Sequence, residues 1–287
     1  MAMTVPITTR FAPSPTGLLH LGHAASALAG WQRTRRVGGR FLLRLEDIDP
    51  GRCRAEFATA IEEDLRWLGL DWDGPVRVQS AHMVEYRAAL GTLDALGLLF
   101  PCFCTRRDIA ASTTAPHGPD GPLYPGTCRL LSAREREDRI AQGRPYALRL
   151  DMARASAAAP RDLSYHEEGE GRLRCDPARF GDVVLARKDA LSSYHLCVTH
   201  DDAVQGVTLV TRGEDLRAAT DLHRLLQSLF GWPEPTYAHH PLLTDAQGRR
   251  LAKRDGAATL RDLRARGASP EEVCAMAQRP AGRMSSR

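Results

Sequence analysis

No uninterrupted apolar run in this chain approaches the roughly 18–20 residues that a membrane helix needs, so a spanning helix is excluded. The N-terminus, Met1-Ala2-Met3-Thr4-Val5-Pro6, lacks the basic start and apolar core of a secretory signal, and a cytoplasmic protein is the expectation. Nor does one sign of charge dominate. A formal net charge of +4 excludes RNA binding by bulk charge alone while permitting a local basic surface. Internal repeats are absent. The seven cysteines are odd in number and scattered through a chain too long to need disulfide staples.

What is present is a globular composition in 287 residues, enough for one large domain or for a main domain carrying an insertion. Short apolar runs alternate with helical patterns. Thr8–Ala12 reads as a strand, closed by the turn formers Pro13-Ser14-Pro15-Thr16-Gly17. A helix is predicted from Leu21 to the stop at Gly38-Gly39, followed by a buried strand at Phe41–Leu45. Two further helices carry Phe57, Ile61, Leu65 and Leu68, then Tyr86, Leu90, Leu93 and Leu96. This alternation predicts an α/β protein with a parallel sheet covered by helices.

The alternation breaks after Phe100. A Pro/Gly-rich loop over Ala115–Pro122 argues against regular structure there. A polar helix near Ser132–Gln142 and a strand at Tyr146–Leu150 are predicted, while 153–180 resists assignment. Strands are then predicted at Val183–Leu185, Tyr194–Val198, Val207–Val210 and Tyr237–His240, with an amphipathic helix running to Leu229. Ser269-Pro270-Glu271-Glu272 reads as a helix start. The expected organisation is 1–100 and 191–245 as two halves of one nucleotide-binding domain, 101–190 as an inserted module, and 246–287 as a loop with a short helical segment.

The segment with most chemical content is Arg10-Phe11-Ala12-Pro13-Ser14-Pro15-Thr16-Gly17-Leu18-Leu19-His20-Leu21-Gly22-His23. It sets two histidines three apart where a strand passes into a helix, so both rings can reach one anion. Backbone N–H groups and the helix dipole favour a phosphate at such a place. Gly17 and Gly22 let a nucleotide approach the backbone.

This segment resembles the first signature of class I aminoacyl-tRNA synthetases, and its surroundings resemble the glutamyl enzymes. Arg44-Leu45-Glu46-Asp47-Ile48-Asp49-Pro50, Tyr194, Asp201-Asp202 and Arg212-Gly213-Glu214-Asp215-Leu216 follow in matching order. Arg250-Leu251-Ala252-Lys253-Arg254 resembles the second signature, with Ala252 where a serine is common. The resemblance covers nearly the whole chain and implies a Rossmann-type parallel sheet with an inserted module. It also implies activation of glutamate by ATP with magnesium. Pro13, Thr16, Gly17, His20, Gly22, His23, Leu251 and Lys253 would meet ATP, with His20, His23 and Lys253 catalytic. Glutamate carries two carboxylates and one ammonium, which suits forked donors from Arg10 and Arg212 and an anion at Glu46. Ser14 and Tyr194 can add neutral hydrogen bonds. His200, where the family tends to be apolar, has no explanation at this level.

Cys102-Phe103-Cys104 and Cys128 give three thiolates, one short of a closed tetrahedral zinc site. Composition nominates His117 as fourth ligand. The resemblance points instead to Tyr124, because the glutamyl-queuosine branch of the family pairs Cys-x-Cys with Tyr-x-x-x-Cys. A structural zinc would order this Pro/Gly-rich segment. Only 34 residues follow Lys253, too few for a separate anticodon-reading domain. The resemblance to that branch implies transfer of glutamate to queuosine in the anticodon loop of tRNA(Asp), by a chain expected to act as a monomer. A conventional enzyme esterifying a tRNA 3′ end, a small nucleotidyltransferase and a zinc-containing RNA-binding module are the competing readings.

Overall fold

The computed structural model describes residues 6–111, 117–187, 192–243 and 258–278. In the first half, β1 (Thr8–Phe11) leads through the 12–19 loop into α1 (Leu21–Arg35), β2 (Arg40–Leu45), α2 (Ala55–Trp67), β3 (Arg77–Val78) and α3 (Met83–Ala95). Then come β4 (Leu99–Cys102), α4 (Arg106–Ala111), the two-residue strands β5 (His117–Gly118) and β6 (Gly121–Pro122), and α5 (Ala133–Ala141). These are followed by β7 (Ala147–Leu150), α6 (Met152–Ala158), β8 (Ser164–Glu167), β9 (Gly171–Arg174) and β10 (Val184–Ala186). The remainder is α7 (Tyr194–Val204), β11 (Leu209–Gly213), α8 (Ala219–Phe230), β12 (Thr236–His240), α9 (Leu260–Ala265) and α10 (Pro270–Ala277).

The central layer is parallel. β2 pairs with β1 and β3, and β12 with β11 and β8, all in parallel register. β11 lies alongside β1, where the Thr208 N–H donates to the Thr8 carbonyl at 2.9 Å. Two sheets, ordered β3-β2-β1 and β11-β12-β8-β9, thus meet edge to edge at β1 and β11, with β9 antiparallel to β8 at the far edge. A second, antiparallel sheet orders β10-β7-β4.

Sequence-local chemistry explains where the helices start. Ser132 and Glu135 form a reciprocal capping box for α5, as do Ser269 and Glu272 for α10, whose first position is Pro270. One apolar core joins Phe11, Leu28, Phe41, Ile61 and Leu65 to Leu260 and Val273, so the C-terminal helices close over the first half of the sheet. A second core runs from Leu90 and Leu93 through Leu150 and Leu185 to Leu196, Leu222 and Leu225.

Several expectations change here. Tyr194–Val198, expected as a strand, is the first turns of α7. Its N-cap is Ser193, whose Oγ accepts the Leu196 N–H at 3.4 Å. That helix buries Leu196 through Asp202 without a polar face, so no helical period shows in its apolar residues. Leu96 lies just past α3 and is 56% exposed rather than core. The 101–190 stretch pairs and packs with the elements on either side of it. Its β8–β9 hairpin extends the parallel sheet, while β7 and β10 share a core with α3, α7 and α8. The loop at Ala115–Pro122 contains the short β5–β6 pair among its described residues.

Candidate active site

The strand-to-helix turn is built by its own histidines. His20 is the N-cap of α1, and its Nδ1 accepts the Gly22 N–H at 3.1 Å. The His20 N–H in turn donates to His23 Nδ1 at 3.2 Å. With both Nδ1 atoms accepting, the neutral rings must carry their protons on Nε2. Their centroids are 3.9 Å apart, so the two rings sit side by side at a helix N-terminus. A Cβ on Gly22 would come to 3.0 Å from the His20 ring, so a side chain there would have to push the capping histidine aside.

Buried charge positions the floor. The Arg10 guanidinium forks onto Asp202 at 2.8 and 3.2 Å and donates to the Thr211 carbonyl at 3.3 Å. Arg44, fully buried, donates to the same carboxylate at 2.6 Å. Burial raises the Asp202 carboxyl, but Arg10 and Arg44 outweigh it and hold it below the usual carboxylate range. Glu46 follows β2, and its N–H donates to the Pro13 carbonyl at 3.0 Å. It has an oxygen, Oε1, that is buried without a hydrogen-bond partner. Burial pushes its carboxyl up to about 7 despite Arg44 and Arg10, which pull it down.

Arg212, on β11, is 5% exposed and held differently. It donates through Nε to His239 Nε2 at 3.1 Å, through NH1 to His223 Nδ1 at 3.0 Å and through NH2 to Thr220 Oγ1 at 2.6 Å. All three partners are neutral side chains. Burial and the Arg212 charge together lower the pKa of both His223 and His239. His239 passes its Nδ1 proton to Glu167 at 2.8 Å. Among the described residues Arg212 pairs with no carboxylate directly. Three of its five N–H donors are committed, leaving two and an uncompensated charge. Tyr194, at the start of α7, lies between Arg212, Glu46 and Arg10, and burial raises its phenol pKa.

These groups share one cleft of about 510 Å³, lined by Arg10, Pro13, Ser14, Thr16, His20, Gly22, His23, Glu46, Tyr194 and Arg212. Gly17 is buried and does not line it. A larger cavity of about 910 Å³ shares Ser14, Thr16, Glu46 and Tyr194 with the cleft and extends to Asp120, Tyr124 and His195. Leu251, Ala252 and Lys253 lie outside the described residues. The chain on either side reaches the cleft, through Leu242 and Leu243 in its lining and through Thr259, which bridges to His20.

The Cys102, Cys104 and Cys128 sulfurs lie within 4.8 Å of one another. The Cys104–Cys128 separation is 3.5 Å, near the ~3.8 Å between thiolates held tetrahedrally at ~2.3 Å from zinc. The Tyr124 hydroxyl is 3.8 Å from Cys104 Sγ and accepts the Cys128 N–H at 2.6 Å. Arg149 stacks over the Tyr124 ring at 4.1 Å, while burial and the neighbouring thiols push the phenol pKa up. The His117 side chain lies outside the described residues. The donor set and its spacing fit a thiolate-rich zinc site.

Sequence reasoning missed the residues that hold these groups: Glu167, Thr220, His223 and His239 around Arg212. The only local hint was the histidine pair ending β12. It noted Asp201-Asp202 and His200 without roles. Asp201 accepts from Tyr86, Gln79 and Arg77 at 2.9–3.0 Å, and His200 Nδ1 sits 3.3 Å from it, between Tyr86 and Trp232. His200 is thus part of the buried polar support behind Asp202.

Residues 6–282 match a family model described as tRNA synthetases class I (E and Q), catalytic domain. A glutamyl-Q tRNA(Asp) synthetase of Rhodobacter capsulatus is 48% identical over 275 residues, covering 92% of this chain and 97% of that protein. One from Nocardia farcinica is 48% identical over 278 residues, covering 96% and 85%. Among solved structures, a glutamate tRNA ligase from Elizabethkingia meningosepticum in complex with its amino acid superposes with a TM-score of 0.74 at 28% identity. That match covers 88% of this chain and 53% of the other, so the chain spans about half of that ligase. No helix among the described residues is long and apolar enough to cross a membrane.

Proposed function

Because the chain belongs to the class I glutamyl- and glutaminyl-tRNA synthetase family, and within it to the glutamyl-Q tRNA(Asp) synthetases, we propose that it activates glutamate with Mg-ATP and transfers the glutamyl group to queuosine in tRNA(Asp). The observation that carries the first step is the pairing, in one cleft, of a buried uncompensated guanidinium at Arg212 with a buried unpartnered carboxylate oxygen at Glu46. Glutamate supplies the missing anion and cation. Arg212 takes a carboxylate, Glu46 the ammonium, and Ser14 and Tyr194 add neutral hydrogen bonds. Arg10 keeps two N–H donors beyond those spent on Asp202 and Thr211, and it lines the same cleft.

The attacking carboxylate is already ionised, so activation needs alignment and charge stabilisation rather than a general base. The Nε2–H groups of His20 and His23 donate to the phosphates as negative charge shifts toward pyrophosphate. Pro13, Thr16 and Gly22 shape the adjoining wall. Lys253 adds a cation over the same phosphates in this reading, and Leu251 an apolar contact to the nucleotide. Magnesium, bound with ATP, neutralises phosphate charge. In the second step a hydroxyl of the queuosine cyclopentenediol attacks the activated carboxyl carbon and AMP leaves. The larger cavity, continuous with the cleft at Glu46 and Tyr194, is the entry for that base. The chain acts as a monomer here.

Transfer of labelled glutamate to two tRNA preparations tests the acceptor. Label is expected only on tRNA containing queuosine; equal labelling of queuosine-free tRNA, or label on the 3′-terminal adenosine, would overturn the assignment.

A pH dependence follows from Glu46. Only its ionised form pairs with the ammonium, and its carboxyl titrates at about 7 in the free site. The ionised fraction falls as pH drops through that value, so KM for glutamate should rise about tenfold between pH 8 and pH 6. Glu46→Gln should raise KM at pH 8 and flatten the profile. A steep profile retained in that variant would assign the titration elsewhere.

Cys102, Cys104, Cys128 and Tyr124 would hold a structural zinc, which supplies order to a segment with little apolar core of its own. Metal analysis should return about one zinc per chain. Cys102→Ser should lower that content, and a metal-free wild type with unaltered stability would remove the site.

A further inference from the structure

Beyond Arg212's own three partners, the hydrogen bonds continue. His223 Nε2 lies 3.1 Å from His195 Nδ1, and His195 Nε2 lies 2.9 Å from an Asp120 carboxylate oxygen. The proton positions along this chain are forced. A guanidinium only donates, so His223 Nδ1 accepts from Arg212 and its neutral ring carries the proton on Nε2. That proton goes to His195 Nδ1, which leaves the His195 proton on Nε2, directed at Asp120. Each donor meets an acceptor, and the series ends on a full negative charge. Asp120 is 57% exposed, in the turn between β5 and β6, whereas His195 is 12% exposed and His223 is 3% exposed. Asp120 and His195 also line the larger cavity.

We infer that Asp120 is a positioning residue for glutamate recognition, holding the Arg212 guanidinium in place through His195 and His223. The turn that walls the larger cavity and the cation that receives glutamate form one hydrogen-bonded unit. Removing the Asp120 carboxylate takes away the acceptor that fixes the His195 ring through its Nε2 proton. The His195 ring is then free to turn, its Nδ1 no longer holds the His223 Nε2–H in line, and the His223 ring that accepts from Arg212 loses its outer support. The inference rests on the reading of Arg212 as the carboxylate's partner, and its test has one arm that does not.

In the first arm, nitrogen-15 NMR of histidine-labelled protein should show His223 and His195 each with a bare Nδ1 and a protonated Nε2. His195→Gln and His223→Gln supply the assignments. Asp120→Ala should shift the Nε2 signals of His195 and His223, as each loses its fixed acceptor while Arg212 still sets the tautomers, and unshifted signals would overturn the inference whatever the enzyme's substrate. In the second arm, glutamate-dependent ATP–pyrophosphate exchange by Asp120→Ala should show KM for glutamate raised about tenfold, as expected for loosening one charge-assisted contact, with kcat and KM for ATP little changed. His195→Phe should reproduce that rise. His195→Gln, which can accept from His223 and donate to Asp120, should recover most of it. Wild-type KM in Asp120→Ala, or equal loss in all kinetic constants, would overturn the positioning role while leaving glutamate activation intact. Shifted Nε2 signals accompanied by an unaltered glutamate KM would overturn the coupling to glutamate.

Discussion

Arg212→Ala is expected to raise KM for glutamate about 100-fold in ATP–pyrophosphate exchange and to leave KM for ATP within about threefold of wild type. The size follows from the two N–H donors that remain after His239, His223 and Thr220 are satisfied. Two charge-assisted bonds to a carboxylate in a buried site are worth about 3 kcal/mol together. The selectivity follows from position. Arg212 sits on β11 and the histidine pair caps α1, two different elements of the cleft wall, and in the proposed reading only the first meets glutamate. Arg212→Lys should recover little, because an ammonium cannot reach three fixed acceptors and still present a fork. Equal effects on both substrates would mean that Arg212 supports the cleft as a whole. The variant also removes the nearby cation that lowers the pKa of His223 and His239, so both rings should titrate higher than in wild type.

The contrast between Arg212 and the residues that hold it marks the limit of what the sequence discloses. The placement of His20 and His23 was legible because it is local. A strand end, a turn and a helix start lie within fourteen consecutive residues, and the histidines cap the helix they precede. Glu46 and Arg212 were legible as types, since both follow predicted strands at the edge where ligands bind in open α/β sheets. Their surroundings were not. Arg10 meets Asp202 across 192 positions, and Glu167 meets His239 across 72. No window of sequence contains either pair. The misreading of Tyr194–Val198 has the same origin, because a helix buried on all sides loses the polar face that betrays its period. The sulfur cluster was legible from spacing alone, although its fourth ligand was not. The β8–β9 hairpin was lost in a stretch with no strong pattern, and its role depends on β12, some 70 residues onward.

Asp202→Asn is expected to cost about 3–5 kcal/mol of stability and to lower the melting temperature by roughly 10 °C. The variant keeps the shape of the side chain and removes the one charge shared by Arg10 and Arg44. Both guanidinium groups are buried, at 5% and 0% exposure, and water cannot replace the lost anion. Arg44 has Asp201 at 3.7 Å, but that carboxylate already serves Arg77, Gln79 and Tyr86. The pH dependence separates this mechanism from simple loss of packing. Asp202 has a pKa held below its unfolded value, so its stabilisation is present above that unfolded value, about 4, and is lost as pH falls through the folded one. The gap between wild type and variant should therefore be widest near neutral pH and close below about pH 4. Adding Arg44→Met should recover part of the loss, since one stranded charge is removed with its partner. A gap that stays constant from pH 7 to pH 3 would show that shape, not charge, is what Asp202 contributes beneath the cleft.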